Sequence, residues 1–177
     1  YSAPEGSTVV NPLTTMITTL VDKGLTVADA QTKVAGSLGL DTSLSLVTLD
    51  PIASATSSTT TAAKDAALAV EKANIQIASI LSVATTTATS VDKAQTTTST
   101  GNAVFDALAT TIQNTGTGQT VSLADSTVIK AVFDGVSNTV GAEFSTDIQN
   151  QSTTLIDSLA SINRSEEHTS ELQSHLN

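Results

Sequence analysis

Asp22, Asp29, Asp41 and Asp50 punctuate the first part of the chain and are the first place to look for a cation site. A calcium loop needs oxygen ligands packed closely in sequence, as in D-x-D-x-D-G, and no such run occurs here. Aspartate is also a favoured helix N-cap and turn residue, and these positions read as caps, turns and solvated surface. Lys64-Asp65 and Glu71-Lys72 bring acid and base together. On a helix such pairs form a solvated face with weak ion pairs. Ser7, Ser122 and Ser126 carry hydroxyls that a base would have to activate, and none of the three begins an S-x-x-K run. Gly116-x-Gly118 is a lone glycine pair, better explained by turn chemistry than by phosphate binding. Asn150-Gln-Ser152 has the form of a glycosylation acceptor, which on a helix reads as chance. The residues therefore predict no catalytic, cofactor-binding or metal-ligating set, and no cofactor.

Composition narrows the classes further. The 177 residues suffice for one domain with a modest core. Cysteine is absent, which removes disulfides, thiolate nucleophiles and cysteine-ligated metals. The formal net charge of −10 repels phosphate backbones and anionic headgroups, so nucleic acid is not an expected partner. Aromatics make up 2% of the chain, so the core must be built of Leu, Ile, Val and Ala. Lysine is scarce and threonine abundant, a surface common on exported proteins. No apolar run reads as long enough to span a membrane, and no membrane insertion is expected.

The elements that would position these residues are helices. Asn11 caps and Pro12 opens the first, with Leu13, Met16, Ile17, Leu20 and Val21 along one stripe and Gly24 as a left-handed stop. Thr26 and Asp29 form a near capping box for a second, whose face is Val27, Ala30, Val34 and Leu38. Gly36 and Gly39 break it. Residues 40–49 alternate apolar and polar but have no partner strand, so they read as an extended loop pinned by leucines. Asp50-Pro51 starts a short turn through Ile52, and Ser54 to Thr61 reads as a loop or frayed turn.

The longest helix is expected from about Ala62 to about Ala88, with Ala63, Ala66, Val70, Ala73, Ile77, Ile80, Leu81 and Ala84 inward. Thr85-Thr86-Thr87 weakens its end, and Ser90 to Gly101 reads as a loop. Val104, Phe105, Leu108 and Ile112 mark the next helix. Ser122 to Asp125 cap another, carrying Val128, Ile129, Val132, Phe133 and Val136, with Gly135 near its end. Phe144, Ile148, Leu155, Ile156, Leu159 and Ile162 mark the last. The fold class is all-α, an irregular helical bundle of about six helices without substantial sheet. Its centre is expected at the Ala-rich helix, with Leu20 among the most buried residues.

Residues Arg164 to His175, RSEEHTSELQSH, resemble the translation of a common sequencing-library adapter, continuously and in one frame. Residues 1–163 are therefore taken as the single domain and 164–177 as a non-native tail. Both histidines, His168 and His175, and the only arginine, Arg164, fall in that tail. The domain itself then lacks the usual general base. The chain opens on Tyr1-Ser2-Ala3-Pro4 and reads as cut from something longer.

Ala3-Pro-Glu-Gly-Ser-Thr-Val-Val-Asn-Pro-Leu-Thr-Thr15 resembles a helical module of very large bacterial surface and secreted proteins, as do Leu20-Val21, Gly24-Leu25, Gly39-Leu40 and Asp50-Pro51. Such chains also carry cadherin-like, immunoglobulin-like or calcium-binding repeats. The likeness covers most of residues 3 to 95, is looser afterward, and contains no catalytic motif. It implies an extracellular or cell-surface location and a structural or adhesive role. The expected partners are neighbouring domains of the same chain. Two other roles are compatible with the residues: an accessory domain of an exported hydrolase, and a coiled-coil-like oligomerisation unit on the Ala-rich helix.

Overall fold

Asn11 lies in extended backbone, and its side chain accepts the Thr14 N–H at 2.9 Å, while the Thr14 hydroxyl accepts the Asn11 N–H at 2.9 Å. This is a reciprocal capping box with threonine in the place usual for glutamate. It opens the first of seven helices in a computed structural model that describes residues 1–91, 94–140 and 154–165. The helices are α1 (Pro12–Asp22), α2 (Val27–Ser37), α3 (Pro51–Ser57), α4 (Thr61–Val91), α5 (Thr97–Asn114), α6 (Ser126–Val140) and α7 (154–165). No strand occurs among the described residues, so the fold is all-α.

The stripe on α1 is fully buried: Leu13, Met16, Ile17 and Leu20 are all at 0% exposure. Burying one such side chain is worth about 1.5–3 kcal/mol, which makes α1 a main anchor of the core. Gly24, at φ +100°, ends the helix in a Schellman motif, with Gly24 N–H donating to Val21 O and Leu25 N–H to Leu20 O. Gly39 repeats the device after α2, where Leu40 N–H reaches back to Ala35 O at 2.8 Å. Gly36 does not break α2; it lies within it. Residues 42–48 form successive turns, with Leu40 and Leu46 buried and Leu44 and Leu49 packed beside them.

The helices run beyond their expected limits, and the threonines and serines there bond locally. α3 continues past Ile52 to Ser57, and Thr56, Ser57 and Ser58 donate their hydroxyls to carbonyls four residues back. α4 continues through the Thr85-Thr86-Thr87 run to Val91 with the same back-bonding: Thr85 donates to Leu81 O, Thr87 to Val83 O and Thr89 to Thr85 O. α5 begins at Thr97, well inside the expected loop, because Thr96 and Ser99 form a second capping box. Each hydroxyl thus serves a backbone group locally, which composition alone reads as looseness.

Packing places the core between two central helices. α4 lies against α1, α3, α5 and α6, and α5 lies against α1, α2, α4 and α6. The centre is therefore shared by α5 and does not belong to the Ala-rich helix alone. The buried face of α4 runs through Ala67, Val70, Ala73, Ile77, Ile80, Ala84 and Ala88. Ala63 is exposed and Ala66 half-buried, so the stripe starts about one turn later than expected, at Ala67, and then keeps the expected register from Val70 onward. Val27 and Ile162 also face solvent, at 37% and 51% exposure. By length and composition α4 is apolar enough to cross a membrane, which corrects the expectation that no segment reaches that threshold. Its alanine, isoleucine, leucine and valine residues raise its hydropathy to that threshold, and its buried stripe faces the core.

α7 packs Ile156, Leu159 and Ala160 into the same core. Buried Asn163 donates its side-chain N–H to Leu123 O at 2.7 Å, and its own carbonyl accepts from Gln76 Nε2 at 3.1 Å. Arg164 donates to Ala124 O at 3.0 Å. The stretch resembling an adapter therefore starts inside this helix. Phe144, Ile148 and residues 166–177 lie outside the described residues.

Candidate functional site

The aspartates are distributed as local structural devices. Asp50 accepts the Ala53 N–H at 2.9 Å and caps α3. Asp29 accepts the Thr26 hydroxyl at 2.7 Å beside the start of α2. The carboxylate of Asp41 takes the backbone N–H and the hydroxyl of Ser43, and these bonds hold it below the usual aspartate range against a small opposing cost of burial. Asp22 ends α1. Among the described residues no three His, Cys, Asp or Glu side chains come together as a metal set.

The other candidates are also separate. Ser7 donates its hydroxyl to Pro4 O, and the Ser122 hydroxyl accepts the Ala124 N–H, so both shape turns. The N-cap of α6 is Asp125 and not Ser122: its carbonyl accepts the Ile129 N–H and its carboxylate the Thr127 N–H and hydroxyl. The Thr127 hydroxyl, then the Thr127 N–H, lowers the Asp125 pKa. Ser126 is the first residue of that helix. Lys64, Asp65, Glu71 and Lys72 all lie on α4. Gly116 and Gly118 build a tight turn closed by Gln119, whose N–H donates to Gly116 O at 3.0 Å. Asn150, Gln151 and Ser152 lie outside the described residues.

What the fold does assemble is a cleft of about 570 Å³ between α4 and α5. Ala78, Leu81, Ser82 and Thr85 form the α4 wall. Thr97, Thr98, Gly101, Asn102 and Phe105 form the α5 wall. One end is closed by Tyr1 and Ser2 with Thr15 of α1. Tyr1 stands edge-on to Phe105, with ring centroids 6.2 Å apart. Ser2 is held by its N–H on Thr15 Oγ1 at 2.8 Å and by its carbonyl, which accepts the Thr14 and Thr15 hydroxyls at 3.0 Å. The volume falls in the usual range for small-molecule sites, about 300–1,000 Å³.

Among the described residues no charged side chain lines this cleft, and the α-ammonium of Tyr1 stands at its closed end. The hydroxyls and amide of the cleft can donate and accept hydrogen bonds to a ligand. Sequence reasoning assigned Ser90 to Gly101 to a loop and passed over Tyr1 and Ser2. The available signal was Gly101, a glycine inside a run that otherwise satisfies helix periodicity. For Tyr1 and Ser2 no local pattern existed, because their place depends on Thr15 and Phe105.

Comparison with family models, curated proteins and solved structures finds no match to this chain.

Proposed function

We propose that the chain is a non-enzymatic structural and interaction module of a large extracellular or cell-surface bacterial protein, spacer- or adhesion-related, and arranged as an irregular helical bundle. The observation that supports this reading is the way the leading segment is fastened to the helical body. Residues before Pro12 contain no helix, yet Ser2 is bonded to Thr14 and Thr15, and Thr8 donates its N–H to Val47 O at 3.0 Å and its hydroxyl to Thr48 O. A module set in series transmits position only if the chain entering it has a defined direction. Hydrogen bonds to two separate parts of the body supply that direction without a second hydrophobic core.

On this reading the partners are neighbouring domains of the same chain. The acidic composition opposes nucleic-acid binding by like-charge repulsion. The complete reading frame is the direct test. Flanking repeat domains support the module, and a flanking catalytic domain overturns it in favour of an accessory role in a hydrolase. A second test uses the absence of cysteine. A fluorophore on Glu5→Cys should tumble with the whole domain, and Thr14→Val with Thr15→Val should release it. Fast local rotation in the parent would remove the support.

A further inference from the structure

We propose that the cleft between α4 and α5 binds a polyhydroxylated ligand, one or two sugar rings in size. This goes beyond the spacer reading and stands on different observations. The hydroxyls of Ser82, Thr97 and Thr98 and the amide of Asn102 line the cleft and make no hydrogen bond to another described residue. Hydroxyls and amides both donate and accept, which matches a ligand whose every substituent does the same. The Tyr1 ring, 64% exposed and braced edge-on by Phe105, offers an apolar face to sugar C–H groups.

Gly101 adds an independent argument. It lies inside α5, where glycine is unfavourable relative to alanine. A Cβ at Gly101 would meet only Leu81 Cδ1, at 3.5 Å, an ordinary contact. Packing between helices therefore does not require glycine here. What its missing side chain provides is room in the cleft, on the wall that carries Thr97, Thr98 and Asn102.

The test is a titration of the ¹⁵N-labelled full chain with lactose, maltose and N,N′-diacetylchitobiose. Sugar concentrations of tens of millimolar reach sites with Kd near 1 mM. The expected result is saturable amide shifts at Thr97, Thr98, Gly101 and Asn102 with at least one of these sugars. Gly101→Leu should weaken binding at least tenfold while leaving the domain folded. Asn102→Ala, an exposed change that removes only one polar partner, should weaken it severalfold. Three results overturn the proposal: no saturable shift with any of these sugars, shifts confined to other parts of the chain, or unchanged affinity in a folded Gly101→Leu or Asn102→Ala chain.

Discussion

Asn74 of α4 places its side-chain oxygen 3.2 Å from the backbone N–H of Leu13 in the first turn of α1, and both groups are buried. The first turn of a helix leaves its N–H groups without intrahelical partners. Here Pro12 has none to satisfy, Thr14 is served by Asn11, and Thr15 reaches Asn11 O. Leu13 remains, and a residue more than sixty positions away completes the cap. Capping and helix packing are therefore one interaction at this point.

Removing that acceptor should strand a buried donor. Asn74→Ala is expected to cost about 1–3 kcal/mol in urea unfolding, the desolvation penalty of an unpaired buried group. Asn114→Ala, on an exposed end of α5, should stay within about 0.5 kcal/mol. Equal effects from the two would mean that the Asn74 bond does not hold α1 to α4.

Leu20 and Ile77 are both at 0% exposure. Leu20→Ala and Ile77→Ala should each cost about 2–5 kcal/mol, a large share of a small domain's margin. Thr60 differs from its low-complexity surroundings. Its hydroxyl accepts the Ala63 N–H at 3.3 Å and its carbonyl the Lys64 N–H, so it is the N-cap of α4. Thr60→Ala should cost about 1 kcal/mol, and Thr59→Ala, exposed and one residue earlier, close to nothing. Thermal unfolding that ranks Thr59 with Thr60 would refute the cap.

Two glycines inside helices should respond oppositely to alanine. At Gly135 a Cβ would lie 2.8 Å from Ala107 Cβ, across the α5–α6 contact. The helices must part to admit it, and overpacking of this kind costs about 1–3 kcal/mol, more than the gain in helix propensity. At Gly101 the added methyl has ordinary space, so Gly101→Ala should stabilise by roughly 0.5–1 kcal/mol. Ala107→Gly added to Gly135→Ala should recover much of the loss. If Gly135→Ala raises Tm, the close approach is not a constraint.

Asp41 and Asp125 both have lowered pKa values, through hydrogen bonds from Ser43 and from Thr127 that exist only in the folded chain. A carboxylate whose folded pKa lies below its unfolded one binds fewer protons when folded. Its stabilising contribution is complete above the unfolded value, near 3.8, and is lost as pH falls through the folded pKa. Stability should therefore be level above about pH 5 and decline below it. The slope should be modest, because both groups face solvent. Asp41→Asn with Asp125→Asn should flatten it, and an acid slope identical to the parent's would show that these carboxylates carry none of it.

Calcium should leave the transition unmoved. A ligand that binds only the native state raises stability by mass action. Asp29, Asp41 and Asp50 each engage one carboxylate oxygen in hydrogen bonds at separate helix starts and turns. A clear rise in Tm at millimolar calcium would reveal a shared site.

Local chemistry was legible from residue types alone. Asn11-Pro12 and Asp50-Pro51 start helices, Gly24 and Gly39 end them, and the Leu13 to Leu20 stripe is buried as its spacing requires. These outcomes depend on groups within about one helical turn of each other, so short-range pattern suffices. The threonine runs were misread because composition does not show where a hydroxyl points. Thr85, Thr87 and Thr96 turn back to the backbone where low complexity seemed to end the helices.

Distance in the chain decided the rest. Asn74 reads as one polar residue on a helix until α1 brings it the Leu13 N–H. Gly135 reads as a helix stop until α5 lays Ala107 against it. Tyr1, Ser82 and Asn102 share a cleft only because α4 and α5 pack side by side and Thr15 holds the leading segment across their end. No periodicity encodes these meetings. They follow from which stripes find each other when the core closes, a choice made by the summed burial of many small side chains rather than by any one residue.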